Sequence, residues 1–352
     1  MSLMKKTLLM AAMATFLGVV SGQASAGAAA TSAVQQTAVK KSAAKKTSTS
    51  LKAASAKSRQ VKTGRAVKTS LKRRTAYVRP SEAMKAGLRQ TVDPLRLGSS
   101  VALAVDVDNG EMLYGKNADV ALPIASITKL MTALVIAESD VKLEQKIKIT
   151  RDDYVRSHAS SKLRSGMTMT RKAVLQAALM SSDNRAAHAL ARTYPGGIKA
   201  FVKAMNEKAA ALGMSNAFFA DPTGLDNRNH ATAADLAKLV AAAARHDVIG
   251  QLSTTAFAKL KAGGRLLSFH TTNRLIGDPS WSIDVQKTGF TSAAGRCMVV
   301  QTAVGERQLA LVVLDSPNNN QRAQDMRTMR AYVASETSFE RRFGDAVPYA
   351  LF

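Results

Sequence analysis

A serine and a lysine stand three residues apart in the apolar stretch PIASITKLMTAL, as Ser126 and Lys129. On a helix, positions i and i+3 share a face, so the hydroxyl oxygen comes within reach of the amine. A neutral amine there can take the hydroxyl proton while the oxygen attacks an electrophile, which is how an activated nucleophile works. Pro123 and Ile124 lead into Ser126 and put it at or near the helix start, where N–H groups favour negative charge. The demand on the amine is severe. An ordinary lysine, with a pKa of about 10.4, is neutral in only about one molecule in 2,500 at pH 7. Desolvation in the apolar helix and repulsion from a second cation would both lower that value.

Two further short patterns follow along the chain: Ser182-Asp-Asn184 and Lys287-Thr288-Gly289. Each pattern alone has an ordinary explanation. Ser and Lys at i, i+3 suit a helix surface, Ser182 and Asn184 suit capping and turns, and Lys287 suits a solvated strand end. The sequence also holds decoys, Ser42-Ala-Ala-Lys45, Ser316-Pro-Asn318 and Lys62-Thr-Gly64. Context separates the sets. The first and third decoys lie in polar chain that positions nothing, whereas Ser126 and Lys129 lie in an apolar helix, Ser182 follows a helix, and Lys287 ends a strand-like run. The order S-x-x-K, S-x-N, K-T-G across one folded region is that of the penicillin-recognising serine enzymes.

The segments LPIASITKLMTALV, MSSDNRAAHALA, DPTGLDNRNHATAADLAKL and KTGFTSAAGRCMV resemble the low-molecular-mass D-alanyl-D-alanine peptidases, over essentially all of residues 95–335. The resemblance implies a β-lactamase/DD-peptidase-like α/β (α+β) fold, an antiparallel sheet flanked by helices with a helical cluster. It also implies roles. Ser126 would carry the acyl group, Lys129 would be its general base, and Ser182 would relay a proton toward the leaving amine. Asn184 would position the substrate amide. Lys287 and Thr288, with Gly289, would bind the substrate's terminal carboxylate, and the backbone N–H groups of Ser126 and Phe290 would form the oxyanion hole. Peptidoglycan peptides are the implied substrates and β-lactams the implied inhibitors.

Competing activities differ in what they need. A class A β-lactamase needs a glutamate that activates water, and its E-x-x-x-N pattern occurs nowhere in the chain. Slow release of β-lactams, hence inhibition, is the expectation. A zinc peptidase would need spaced ligands, yet His158, His188, His230, His246 and His270 show no metal-ligand spacing,. No metal and no cofactor are expected. Within the peptidases, carboxypeptidases generally carry a further β-rich domain and an amphipathic anchor. A chain ending at Phe352 resembles the shorter endopeptidase type, which cuts D-alanyl to meso-diaminopimelate cross-links. D-alanyl-D-alanine carboxypeptidase is the alternative, and an inactive envelope-binding protein a more distant one.

These residues need a scaffold. The run SVALAVDVDNGEMLYGKN reads as two strands joined at Asn109-Gly110, a strong hairpin signal,. Residues 125–138 have helical apolar spacing, MTRKAVLQAALMSSDNRAAHALAR reads as helix interrupted near Ser181, and Thr232 with Asp235 opens an Ala-rich helix,. WSIDVQKTGF, RCMVVQTAV and RQLALVVLD read as strands, the last two joined at Gly305-Glu306, and a helix over residues 321–335 closes the domain. Strands, helices, then strands and a helix predict a helix-covered antiparallel sheet.

The charge is uneven. Of 50 Lys and Arg, 16 lie in residues 1–80, which contain no Asp or Glu, so the net charge of +25 belongs mainly to the N-terminal part. Lys5 and Lys6, an apolar run over residues 8–20, and Ala24-Ser25-Ala26 predict a cleaved signal peptide over residues 1–26 and a periplasmic enzyme,. Residues 27–92 read as a basic, Ala/Ser/Lys-rich disordered tail and linker, and residues 93–352 as the catalytic domain. The tail would suit an anionic wall or membrane surface. It lacks aromatic residues over residues 31–74, so nucleic acid is not expected,. The lone Cys297 excludes an internal disulfide and reads as a small buried residue,.

Overall fold

A computed structural model describes residues 79–157 and 159–343, all within one compact unit bounded by Arg73–Phe352. The expected signal peptide, the tail to residue 78, the decoy motifs at 42–45 and 62–64, and His158 lie outside the described residues. In chain order the elements are α1 (Glu82–Lys85), β1 (Val101–Asp106), β2 (Met112–Lys116), β3 (Leu122–Pro123) and α2 (Thr128–Ala137). Then come β4 (Lys146–Lys148), β5 (Thr168–Thr170), α3 (Arg171–Met180), α4 (Asn184–Arg192), α5 (Gly197–Ala211), β6 (His230–Ala231) and α6 (Ala233–Ala244). Last are α7 (Asp247–Thr254), β7 (Phe257–Ala262), β8 (Arg265–His270), β9 (Ile283–Thr291), β10 (Gly295–Val304), β11 (Arg307–Ser316) and α8 (Asn319–Phe343).

The main sheet is antiparallel, in the order β2-β1-β11-β10-β9. Its centre is covered on both faces, which explains why RQLALVVLD is almost continuously apolar rather than alternating. Leu309, Leu311 and Val313 share one core with Met326, Met329 and Val333 of α8. Their neighbours Ala310, Val312 and Leu314 join the larger core, with Leu130, Leu134 and Leu236 of α2 and α6. Helix α2 is buried from Thr128 to Ile136, so it has no solvated face and must run through the interior,. Thr232 and Asp235 form the expected capping box at α6,.

The fold departs from expectation at several points. Described structure precedes the expected boundary at 93. Ser81 caps α1 by accepting from Met84 N, Ala83 is buried, and Glu82 N donates to Ala293 O at 2.9 Å. A single helical turn has no periodicity to read, so composition alone hid it. Helix α8 begins at Asn319 and runs to Phe343, longer than expected. Helix α5 and the β7–β8 hairpin were not anticipated. Lys287 stands in the middle of β9, opposite Val299, rather than at a strand end. Among the described residues no helix is long and apolar enough to cross a membrane, and no cluster of His, Cys, Asp and Glu could hold a metal ion.

Candidate active site

Ser126 lies in a short 3-10 turn, Ala125–Ile127, that feeds directly into α2. The turn is reached through Ala125, whose φ of 47° is left-handed and costly for a residue with a Cβ,. Close packing holds it there. Thr128 Oγ1 donates to Ala125 O at 2.8 Å, and Ile124 N donates to Asn229 O at 3.2 Å. On one side Gly224 comes so near that a Cβ built on it would lie 1.9 Å from Ala125 O. On the other side runs β9, where a Cβ on Gly289 would sit 2.9 Å from Ile124 O and 3.1 Å from Ser126 N. The third residue of K-T-G therefore has to be a glycine for β9 to reach the serine.

Lys129 Nζ is 2.8 Å from Ser126 Oγ, 2.7 Å from Asn184 Oδ1 and 2.6 Å from Thr223 O, and the residue is 0% exposed. Three oxygens suit both protonation states. An ammonium donates to all three, whereas a neutral amine donates to Asn184 and Thr223 and turns its lone pair to the Ser126 hydroxyl. Burial pushes the Lys129 pKa down to about 7, with Asp221 and Asp183 pulling part of the way back. The neutral amine is then accessible near pH 7, as it is not for an ordinary lysine. The expected repulsion between the two lysines acts on Lys287, whose pKa lies well below the usual lysine range. Burial is the main cause there, followed by the charges of Lys129 and Arg322.

Ser182 sits in the break between α3 and α4, at φ 60°, and Asp183 then caps α4 by accepting from Ala186 N. Its hydroxyl accepts from Lys287 Nζ at 3.0 Å, and the same amine donates to Thr288 O at 2.8 Å. The described hydrogen bonds thus form two pairs, Ser126 with Lys129 and Ser182 with Lys287, with Asn184 bonded to Lys129 and Ser182 two residues before it. Lys287 is 0% exposed and lies behind Ser182 rather than on the cleft wall. Thr288 does line the cleft, with its Oγ1 2.6 Å from Thr272 Oγ1. Phe290 is 56% exposed on the rim, with the Arg296 guanidinium 4.5 Å from its ring centre.

The cleft between these walls has a volume of about 550 Å³. Ser126, Ser182 and Asn184 lie along it, with Thr288, Gly289 and Phe290 on the sheet side. Sequence reasoning missed Arg322, in α8, which also lines it. Arg322 is 5% exposed, Nη1 donates to Cys297 O, and Nε has no hydrogen-bond partner. Burial brings its pKa down to about 10, and it stays cationic at neutral pH. A buried guanidinium at the edge of a cleft is a strong attractor for a carboxylate. It was invisible because an arginine in a helix has no fixed spacing to the three motifs. Ser157 was missed too, and its Oγ accepts from Asn184 Nδ2 at 3.0 Å. Two other residues prove structural. His188 bonds Asp153, away from the cleft, and Cys297 is fully buried with its thiol pKa pushed up to about 12 by burial.

Residues 88–318 match the family model described as D-alanyl-D-alanine carboxypeptidase. A D-alanyl-D-alanine endopeptidase of Escherichia coli is 40% identical over 257 residues, covering 72% of this chain and 83% of that protein. One from Pseudomonas aeruginosa is 43% identical over 244 residues, covering 68% and 77%. Among solved structures, penicillin-binding protein D2 of Listeria monocytogenes in its ampicillin-bound form is 29% identical, with a TM-score of 0.61, covering 68% of this chain and 99% of that one.

Proposed function

Since the chain belongs to the D-alanyl-D-alanine carboxypeptidase family of serine peptidases, we propose that it hydrolyses D-alanyl–meso-diaminopimelate cross-links of peptidoglycan through an acyl-enzyme on Ser126. One observation carries the reading: a fully buried Lys129 amine, its pKa pushed down to about 7 by burial, lies 2.8 Å from the Ser126 hydroxyl.

Neutral Lys129 takes the Ser126 proton as Oγ attacks the D-alanyl carbonyl carbon. Negative charge develops on the carbonyl oxygen, for which the N–H groups of Ser126 and Phe290, on adjoining segments, are the donors. The carboxylate beside the scissile amide faces Arg322 and Thr288, where its charge meets a desolvated guanidinium. Asn184 holds the substrate amide. Ser182, polarised by Lys287, delivers its proton to the departing amine and is reprotonated with the proton held by Lys129, and the C–N bond breaks. Water then attacks the ester carbonyl, the again neutral Lys129 takes its proton and passes it to Ser126 Oγ as the ester C–O bond breaks, and the free acid leaves. β-Lactams present the same carbonyl and carboxylate, and with no E-x-x-x-N pattern in the sequence their esters are expected to be released slowly.

Digestion of purified cross-linked muropeptides with mass analysis tests the reading. Monomers released from dimers are expected. Loss of a single D-alanine from pentapeptides, with dimers left intact, would make the protein a carboxypeptidase. Sustained nitrocefin turnover at tens per second would make it a β-lactamase instead. Failure to retain a fluorescent penicillin covalently would leave an inactive binding protein. The reading of residues 1–26 as an export signal puts the enzyme in the periplasm, and the basic segment 31–74 is proposed to hold it on an anionic surface. Deleting that segment should weaken association with the cell wall at low salt and leave hydrolysis of soluble peptides unchanged.

A further inference from the structure

The loop over residues 221–229, DPTGLDNRN, touches α2 and the turn before it at three successive residues. Thr132 Oγ1 donates to Pro222 O at 2.7 Å, Lys129 Nζ donates to Thr223 O at 2.6 Å, and Gly224 packs against Ala125 O. One side chain holds that stretch in shape. The Asp221 carboxylate accepts from Thr223 Oγ1 at 2.5 Å, and from Gly224 N and Asn229 Nδ2, both at 2.9 Å. An Asp that folds back onto the chain two and three residues ahead makes a tight turn in this way. Its donors are a hydroxyl, a peptide N–H and an amide, all neutral, so they hold the carboxylate without cancelling its charge.

That charge acts on Lys129. Burial favours the neutral amine, and against it Asp221 in the loop is the larger opposing influence, ahead of Asp183 at the head of α4. Lys287 faces the same space from β9, where the charges that act on it, Lys129 and Arg322, are both positive. Two buried amines therefore stand close together, and carboxylates favour the proton on only one of them. Resting on the reading of Lys129 as the base, we propose that Asp221 is a positioning residue for acylation: its carboxylate shapes the turn that presents Thr223 O to Lys129, and its charge stabilises the ammonium that forms when Lys129 takes the Ser126 proton. The position then needs a carboxylate and not merely a hydrogen-bond acceptor. An amine weakened by burial alone would be neutral at pH 7 but reluctant to take a proton, and Asp221 restores part of its basicity.

Rate constants for acylation by a penicillin, followed across neutral pH, test this in the wild type, Asp221→Asn and Asp226→Asn. Asparagine keeps an oxygen for Gly224 N and a second polar atom beside Thr223 Oγ1, so it retains the turn and removes the charge. Its midpoint should fall about one pH unit below the wild-type value, the low end of what a neighbouring opposite charge does. Its plateau should be lower as well, as a weaker base requires. Asp226 belongs to the same loop but is paired with Arg228 at 2.6 Å, and its removal should leave the midpoint in place. Midpoints are read within each variant, so a smaller folded fraction scales the rates and does not move them. A merely structural Asp221 would slow Asp221→Asn at every pH without a shift. That result, or an equal shift in Asp226→Asn, would overturn the proposal. A wild-type profile with no midpoint would overturn the base reading and this inference with it. Penicillin acylation needs no cross-link, so intact muropeptide dimers beside the expected shift would remove the cross-link reading alone.

Discussion

On the helical wall of the cleft, Ser126 and Ser182 both sit at breaks in the backbone, beside or at positive φ values of 47° for Ala125 and 60° for Ser182. On the sheet wall, Thr288, Gly289 and Phe290 follow Lys287 as successive residues of one strand, paired in register with β10 from Arg296 to Val299. The helical wall reaches its geometry by strain, of order 1–3 kcal/mol at each such residue, held by the packing around it. The sheet wall reaches its geometry by regularity and needs only one missing side chain. The contrast assigns different work to the two. Bond-making groups need side chains aimed off the usual helical directions, while recognition of an extended peptide needs a straight, rigid edge.

Substitutions should sort along the same line. Ser126→Ala should abolish covalent penicillin labelling on a gel and lower peptide hydrolysis by about 10⁶-fold, the scale seen when a serine nucleophile is removed. Any retained label would place the nucleophile elsewhere. The rate of acylation should also follow the protonation of Lys129. A protonated amine cannot accept the Ser126 proton, so the rate should rise with pH through about 7 and level off above it. Below about pH 6 it should fall roughly tenfold per unit, each unit being a tenfold loss of neutral amine. A flat profile down to pH 5 would exclude Lys129 as the base.

The sheet wall is probed by Gly289→Ala. The added methyl would press on Ile124 O and Ser126 N and push β9 away from the serine. A displacement on the order of 1 Å should slow acylation by about 10- to 100-fold, with little change in melting temperature. If acylation is unaffected, the strand does not set the cleft width. The smallest effect isolates the helical strain. Ser182→Gly and Ser182→Ala both remove the hydroxyl, but only glycine relaxes at φ 60°,. The glycine variant should be the more stable by about 1 kcal/mol in urea unfolding.

Much of this was legible in the chain. The three motifs fell in their order, and the Asn109-Gly110 hairpin, the Thr232–Asp235 capping box and the three late strands appear where their local chemistry puts them. Some misses had signals. Phe201, Met205 and Ala209 are buried at steps of four and mark α5, and Gly263-Gly264 between two β-like runs marks the β7–β8 hairpin,. Others had none. Thr223 serves through its carbonyl, which every residue possesses, and Arg322 is brought to the cleft by how α8 docks on the sheet. Lys287, read as ending a strand, stands in mid-strand with its amine on Ser182 Oγ, because a three-letter motif does not encode where its strand stops.

The three oxygens around the Lys129 amine have one more effect. Since the same heavy atoms serve it charged or uncharged, a proton can arrive and depart without a rotamer change, a moving loop or a newly admitted water. The reorganisation that would slow such a transfer in solution is largely absent, so under the proposed mechanism the amine would be as ready for the deacylating water as for the serine.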